Sequence, residues 1–467
     1  MRRLVLTAGA TLLALTPVPL AAQRGWQPAT CELSTGHYLV NSAVLYLRNA
    51  NTTRFPDQRL RDMRDANRVL HEALEQGRDG DPAVWYYLGR FYVMGADLRG
   101  ADSAFDRTLA LAPQCAGDIR QFRRQLWVPV LNRGVDALQN ADNEAAKEAL
   151  RTANQIYDQE PPGFYYLAQI FATEGTVDSA ILYYRRTIAV ASDSLNAASE
   201  QSQSILKNST FNTARLFHRQ LAYDSAAAWY ARYRDIDPND PQALTGLAEV
   251  LGAAGRNDEA QALYDTVLAR AADLPALDVF ATGVALFRGD RFQRAASAFE
   301  LGLEQNPYYR DALFNVANTY LSMASDSGTA ETRKRELGAM MQPVVERLLQ
   351  ADPANTASLR LLAASFQLRD MQDSTLAVLQ RAADLAFDVT ISMFQPVTGG
   401  AWELRGLITN ASDAAVQVPA LTFEFLNEAG EVVATQVVAA QMLDVAAPFG
   451  FQVRGESIAA WRYRLGG

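Results

Sequence analysis

A recurrence of about 34 residues constrains this chain more than any other feature. From Ala83 to Pro113 the sequence opens AVWYYLGRFY and closes LALAP. In a 34-residue frame Trp85, Leu88, Gly89 and Tyr92 take positions 4, 7, 8 and 11, and Ala101, Phe105 and Pro113 take positions 20, 24 and 32. Large residues at 4, 7 and 11 draw one stripe along a first helix. Gly at 8 and Ala at 20 sit where two antiparallel helices touch, so a small side chain lets the backbones approach. Pro at 32 ends the second helix, because it lacks a donor and restricts the residue before it. The frame returns with Phe164, Leu167, Ala168 and Phe171, then Leu244, Leu247, Ala248 and Leu251, then Gly283 and Leu286. Leu313, Val316, Ala317 and Tyr320 continue it, and Leu359, Leu362, Ala363 and Phe366 make the last good match.

These residues resemble the tetratricopeptide-repeat (TPR) family. The resemblance implies a mainly α fold, a solenoid of helix hairpins with about nine units over residues 36–388. A single hairpin cannot bury its apolar face, so stability comes from stacking on neighbours. Extra residues fall near Asn51–Asp62, Ala116–Leu126, Leu195–Leu206 and Ser322–Lys334. The second and third insertions read as lengthened helices, and the Ser325–Thr329 stretch reads as a loop. By the same resemblance, the first helices of the units line a groove that takes extended or helical peptides. Position 5 supplies Tyr86, Tyr165, Phe211, Phe280 and Phe314, with Arg90, Gln169, Arg215, His218, Asn315 and Asn318 around them. Rings offer contact area, and Arg or Asn can pair with a peptide's backbone or carboxylates. The set lacks the Lys/Asn/Arg combination with which some family members clamp a C-terminal carboxylate. Position-5 rings can equally pack on the neighbouring helix.

Near Phe387 the period changes to two. Val389, Ile391 and Met393 alternate with other residues, as do Trp402, Leu404, Gly406 and Ile408, then Leu421, Phe423 and Phe425, then Trp461, Tyr463 and Leu465. Short strands with turns at Thr398–Gly400, Asn410–Asp413 and Asn427–Gly430 predict an antiparallel β-sandwich of six or seven strands over residues 389–467. GLITNAS followed by LTFEFLNEAGEVV resembles the FxLYD-type, immunoglobulin-like modules of bacterial envelope proteins. Phe423, Phe425, Leu426 and Asn427 fill the motif, with Leu426 and Asn427 in place of its usual Tyr and Asp. The phase of Trp402 and Trp461 puts them in the core. A terminal hairpin needs a cap, so Leu376 and Leu379 are expected to pack toward the sandwich.

The first 22 residues read as a secretory signal: Arg2 and Arg3, an apolar Leu4–Leu15, Pro17 and Pro19, then small Ala21 and Ala22. A leader over residues 23–35 follows. No second apolar run is long enough to span a bilayer. The expectation is an exported chain, periplasmic or extracellular. In an oxidising compartment the two cysteines, Cys31 and Cys115, can pair. Two cysteines without a neighbouring His make a poor metal site.

A net charge of −9 without a basic tract argues against nucleic acid. The histidines His37, His71 and His218 stand alone, and phosphate loops, dinucleotide fingerprints and nucleophile elbows are missing. No cofactor or metal is expected and no catalytic set converges. The Asp178-Ser179, Asp224-Ser225 and Asp373-Ser374 pairs recur at one frame position and read as helix N-caps. The leading expectation is a non-catalytic scaffold or adaptor that binds protein or peptide partners. The alternative is an envelope structural module whose β-domain binds a cell-wall or surface polymer, with the repeats as spacer. An exposed aromatic row on the sandwich would favour that alternative.

Overall fold

A computed structural model describes residues 26–33, 36–397, 401–427, 429–445, 447–456 and 458–466. The signal segment at 1–22 and the Thr398–Gly400 turn lie outside the described residues. The chain divides into two compact units, with the division at Leu216/Phe217.

The first unit carries α1 (Tyr38–Thr52), α2 (Pro56–Glu75), α3 (Pro82–Met94), α4 (Leu98–Leu111), α5 (Ala116–Gln139), α6 (Asn143–Ile156), α7 (Pro162–Thr173) and α8 (Val177–Ala191). It also holds most of α9 (Glu200–Arg219), which crosses the division. The second unit carries α10 (Tyr223–Ile236), α11 (Pro241–Ala253), α12 (Asn257–Leu268), α13 (Ala276–Arg288), α14 (Phe292–Gln305), α15 (Arg310–Ser325), α16 (Glu331–Ala351), α17 (Thr356–Gln367) and α18 (Gln372–Ala383). The helices follow one another as hairpins, each odd-numbered helix starting one.

The small positions of the frame are where hairpins close. Gly89, Ala168, Ala248, Gly283, Ala317 and Ala363 are all buried. A Cβ on Gly89 would lie 2.5 Å from the Phe105 ring, and one on Gly283 would lie 2.6 Å from Phe299. Position 24 thus inserts its ring into the gap that position 8 leaves.

One turn geometry joins the two helices of seven hairpins. Ala96, Ala141, Gly175, Leu221, Gly255, Asp290 and Asp370 all have positive φ. In each case the next residue donates its N–H to a carbonyl five residues back, as from Asp97 to Tyr92, Asp142 to Ala137 and Arg256 to Leu251. This is the Schellman closure, which satisfies carbonyls at the helix end. The residue after the left-handed one then caps the following helix, which begins one residue later. Asp97 and Asp142 do so with their side chains, accepting from Gly100 and Ala145. The two hairpins without such a turn, α1/α2 and α15/α16, carry insertions at that point.

This geometry corrects the cap assignment. Thr176, Ala222 and Met371 hold the cap positions, so Asp178, Asp224 and Asp373 lie inside the first helical turn. There their charge favours the helix dipole. Side-chain caps occur instead at Asp81, Asp97, Asp142, Asp240 and Asn355. The insertion after Ala116 is indeed a lengthened helix, α5. Much of the one after Leu195 is turn, and α9 begins only at Glu200.

Strands follow α18: β1 (Phe387–Pro396), β2 (Ala401–Asn410), β3 (Val416–Val418), β4 (Leu421–Leu426), β5 (Val432–Val438), β6 (Gln441–Leu443), β7 (Pro448–Glu456) and β8 (Ala460–Leu465). Two antiparallel three-stranded sheets, β1-β2-β7 and β5-β4-β8, are joined by a β3-β6 pair. Among the described residues there are eight strands rather than six or seven, because β3, β5, β6 and β7 lie where alternation does not single out a strand. Between the sheets Val389, Leu404, Ile408, Phe423, Phe425, Trp461 and Tyr463 make one core. Phe423 pairs in register with Tyr463, and Phe425 with Trp461. On the outward faces, Glu403 lies between Arg405 and Arg454, and Glu424 between Arg462 and Arg464.

The β-domain is seated on the turn between α16 and α17. Asp352, fully buried, accepts from the Arg310 guanidinium at 2.8 Å and from the Tyr463 hydroxyl at 2.9 Å. The same hydroxyl accepts from the Ala354 backbone N–H at 2.9 Å. Val389 N–H donates to the Ala354 carbonyl, Asn355 Nδ2 to the Val389 carbonyl, and Thr356 N–H to Asp388. Ala354 belongs to the core of the sandwich. Burial alone would lower the Arg310 guanidinium, but the carboxylates of Asp352 and Asp311 hold it above its ordinary value. The expected packing of the last helix is therefore corrected. Leu376 and Leu379 are 66% and 43% exposed, and α18 has no buried residue. The connection from Ala383 to Phe387 is too short for β1 to do more than run back past the start of α17, where the free N–H groups of that helix meet Asp388.

Candidate functional site

The aromatic residues at position 5 divide into two groups. Tyr86 and Tyr165 are 0% and 1% exposed, and Phe280 is 5% exposed. Tyr86 donates its hydroxyl to Asp118 on α5 at 2.9 Å and meets the Phe122 ring edge-on at 6.2 Å. Tyr165 lies 6.2 Å from Tyr184 and accepts from Gln169 Nε2 at 3.0 Å. Phe280 stacks on Tyr309 at 4.7 Å and closes the gap left by Gly302. All three rings are buried in packing, Tyr86 and Phe280 against the following hairpin and Tyr165 against α8 of its own, so their expected place in an open groove is corrected. Burial raises the hydroxyls of Tyr86 and Tyr165 above their ordinary values. Phe211 and Phe314 are only half-buried.

The polar residues divide in the same way. Arg215 is half-buried, with its guanidinium 5.8 Å from the Phe211 ring. Gln169 is half-buried and bonded to Tyr165. Asn315 and Asn318 are half-buried on α15 beside Phe314, and Asn318 Nδ2 donates to the Phe314 carbonyl at 3.2 Å. His218 is half-buried, and burial together with the Arg288 charge holds it below its ordinary value. Arg288 lies 3.7 Å from Glu249 of α11, whose carboxyl burial pushes up. Glu249 is absent from the sequence-based set, although the frame marks it: it takes position 9 of its unit, as Arg90 and Arg215 do. On the same two helices Thr245 and Thr282 share a hydrogen bond at 2.9 Å.

Arg90 departs most from expectation. It is 5% exposed and covered by the leader. The Trp26 ring lies 3.8 Å from its guanidinium, and Phe122 lies 4.9 Å away. Thr30 donates its backbone N–H to Asp118 at 2.7 Å, and its hydroxyl to the same carboxylate. Burial alone would raise the Asp118 carboxyl, but the bonds from Thr30, Tyr86 and the Cys31 backbone hold it below the usual range. Cys31 and Cys115 form a disulfide, with Cα atoms 5.0 Å apart. Nothing in the spacing of Trp26, Asp118 and Phe122 announces this cluster, because it joins segments as far apart as the 88 residues between Thr30 and Asp118.

Among the described residues no group of three or more His, Cys, Asp or Glu is placed to hold a metal ion. None of the helices described is long and apolar enough to cross a membrane. On the sandwich Trp461 is 1% exposed, so it forms no surface row with Trp402.

Residues 219–278 match the tetratricopeptide repeat family. The helical region has the helix-hairpin fold of tetratricopeptide repeats. Solved structures similar to this chain include a tetratricopeptide repeat protein from Parabacteroides merdae, at 12% identity over 56% of this chain and 93% of that one, with a TM-score of 0.38. Yeast Tom70 is similar at 14% identity over 75% of this chain and 79% of that one, with a TM-score of 0.33. YrrB, a TPR protein with an unusual peptide-binding site, is similar at 13% identity over 50% of this chain and 100% of that one, with a TM-score of 0.29. None of the curated proteins matches the sequence. TPR arrays are in general non-catalytic scaffolds that bind protein or peptide partners.

Proposed function

We propose that this TPR protein is an exported, non-catalytic adaptor that holds peptide segments of envelope or secreted partners along the first helices of its hairpins. One observation carries the reading. On α9 and again on α15, an aromatic ring at position 5 and a polar side chain at position 9 are half-exposed side by side: Phe211 with Arg215, and Phe314 with Asn318. A ring gives contact area at low entropy cost, and Arg or Asn beside it can bond a peptide backbone or carboxylate. The central place of Phe423–Leu426 in the sheet β5-β4-β8 supports the FxLYD-type reading of the C-terminal domain. Export rests on the charged, apolar and small-residue order of the first 22 residues.

The test is a peptide array derived from envelope proteins, probed with the wild-type chain and with Arg215→Ala/Asn318→Ala. The double variant should lose most bound spots while its melting curve stays within a degree or two, since both side chains are half-exposed. Undiminished binding by a folded double variant places the surface elsewhere. Cell fractionation with N-terminal mass determination checks export; an unprocessed cytosolic chain removes that part of the reading.

A further inference from the structure

The cluster around Arg90 has the composition of an occupied binding site. Arginine is almost never fully buried unless paired. Arg90 is 5% exposed, and among the described residues its Nη1 finds no hydrogen-bond partner. What covers it is the Trp26 ring, offered by a segment with no helix or strand of its own. Three of the donors to Asp118 come from that segment: the Thr30 N–H, the Thr30 hydroxyl and the Cys31 N–H. Gln114 Nε2 adds a bond to the Glu32 carbonyl at 3.4 Å. Repeat arrays are ordinarily capped by a helix with a polar outer face. Here an irregular segment is held by one ring, one hydroxyl and its backbone, which is how a peptide is read by a groove. Arg90, which receives the Trp26 ring, takes position 9, with the buried Tyr86 beside it at position 5. The same aromatic–arginine pair recurs as Phe211 and Arg215, where it is half-exposed.

We propose that Trp26–Glu32 is an intramolecular ligand seated in a peptide site on α3 and α5. Partner segments bearing an aromatic residue four positions before a serine or threonine replace it once the Cys31–Cys115 bond is reduced. The proposal rests on the peptide-adaptor reading and names its ligand class and its control. A dithiol supplies the two electrons and two protons: the cystine becomes two thiols and the dithiol becomes a disulfide. Reduction leaves the segment joined to α1, so it still competes at an effective concentration on the order of millimolar. Reduction therefore weakens the competition without abolishing it, and removal of the Trp26 ring weakens it further.

The experiment uses the full chain and a fluorescent peptide of residues 26–32 carrying Cys31→Ser, read by anisotropy. The oxidised chain should bind it weakly. Reduction with dithiothreitol should tighten binding by about tenfold, and reduced Trp26→Ala should tighten it further. Peptides with Trp26→Ala or Thr30→Ala should lose the gain, as should the Arg90→Ala chain. A reduced Trp26→Ala chain that keeps its helical melting curve yet binds no better than oxidised wild type overturns the proposal. Should that variant fail to fold, hydrogen exchange on reduced wild type decides. Amides of residues 27–33 must exchange about tenfold faster while those of α3 stay protected, and unchanged exchange at 27–33 overturns the idea. If the peptide fails but Arg215→Ala/Asn318→Ala still abolishes partner binding, only this proposal falls; if both fail, the adaptor reading falls with it.

Discussion

Over α3 and α5 the array is covered by eight described residues, Trp26–Leu33, held by a disulfide, a stacked ring and one carboxylate. Near its C-terminal end a β-domain is seated through Arg310, Asp352 and Tyr463, beside a core that Ala354 shares with the sandwich. The first closure depends on a covalent tie, because a short irregular segment buries too little apolar surface to offset the entropy of ordering it. The second needs no covalent tie, because Ala354 enters the core of the sandwich and the polar groups around it are paired. The first can be loosened chemically without disturbing a hydrophobic core. The second can be loosened only by unfolding what it joins.

The sharpest way to break the contrast is Arg310→Ala. It leaves the Asp352 carboxylate buried and unpaired, and should cost about 3–5 kcal/mol in denaturant unfolding of the C-terminal region. Tyr463→Phe keeps the ring but leaves the Ala354 N–H and one Asp352 oxygen short of a partner, at a cost of about 1–3 kcal/mol. If both variants melt like wild type, the seat of the β-domain contributes nothing to stability. Next is Cys31→Ser/Cys115→Ser, whose bond closes a loop with a sequence separation of 84. Its loss should cost about 2–4 kcal/mol, with hydrogen exchange rising at 26–33 while α3 and β1–β8 stay protected. Exchange that rises equally at both ends would dissolve the contrast. The smallest effect serves as a control remote from either closure. Leu221 is 67% exposed at φ 60°, a conformation that costs a side-chain-bearing residue about 1–2 kcal/mol. Leu221→Gly should raise the midpoint by up to about 1 kcal/mol, less the entropy glycine loses on folding. A destabilised Leu221→Gly would show that the turn depends on the leucine side chain rather than on backbone conformation.

Much of the array was legible because its signals are local. Gly89 against Phe105, and Gly283 against Phe299, are contacts between residues 16 positions apart on one hairpin, and the frame repeats them. The caps were misread because the helix starts are set by the left-handed residue two positions earlier. Leu221 and Asp370, which precede two of them, give no glycine signal for it. Position 5 was harder still. Tyr86 and Phe314 occupy the same frame position, yet one is buried by α5 and Trp26's neighbourhood while the other stays half-exposed. Glu249 lay in the frame all along and could have been found by listing position 9 in every unit.

The sequence by itself determined the hairpins, their small-residue contacts and the change from helical to alternating period, because each depends on residues within one turn or one hairpin of each other. Only the tertiary structure decided which of the candidate residues remain accessible. It alone brought Trp26 over Arg90, Thr30 to Asp118 and Tyr463 to Asp352, since those contacts join segments whose separation, 88 residues for Thr30 and Asp118 and 111 for Tyr463 and Asp352, leaves no periodic trace. A repeat constrains what each hairpin does with its immediate neighbour; it says nothing about what a non-repeating segment does when it meets the array.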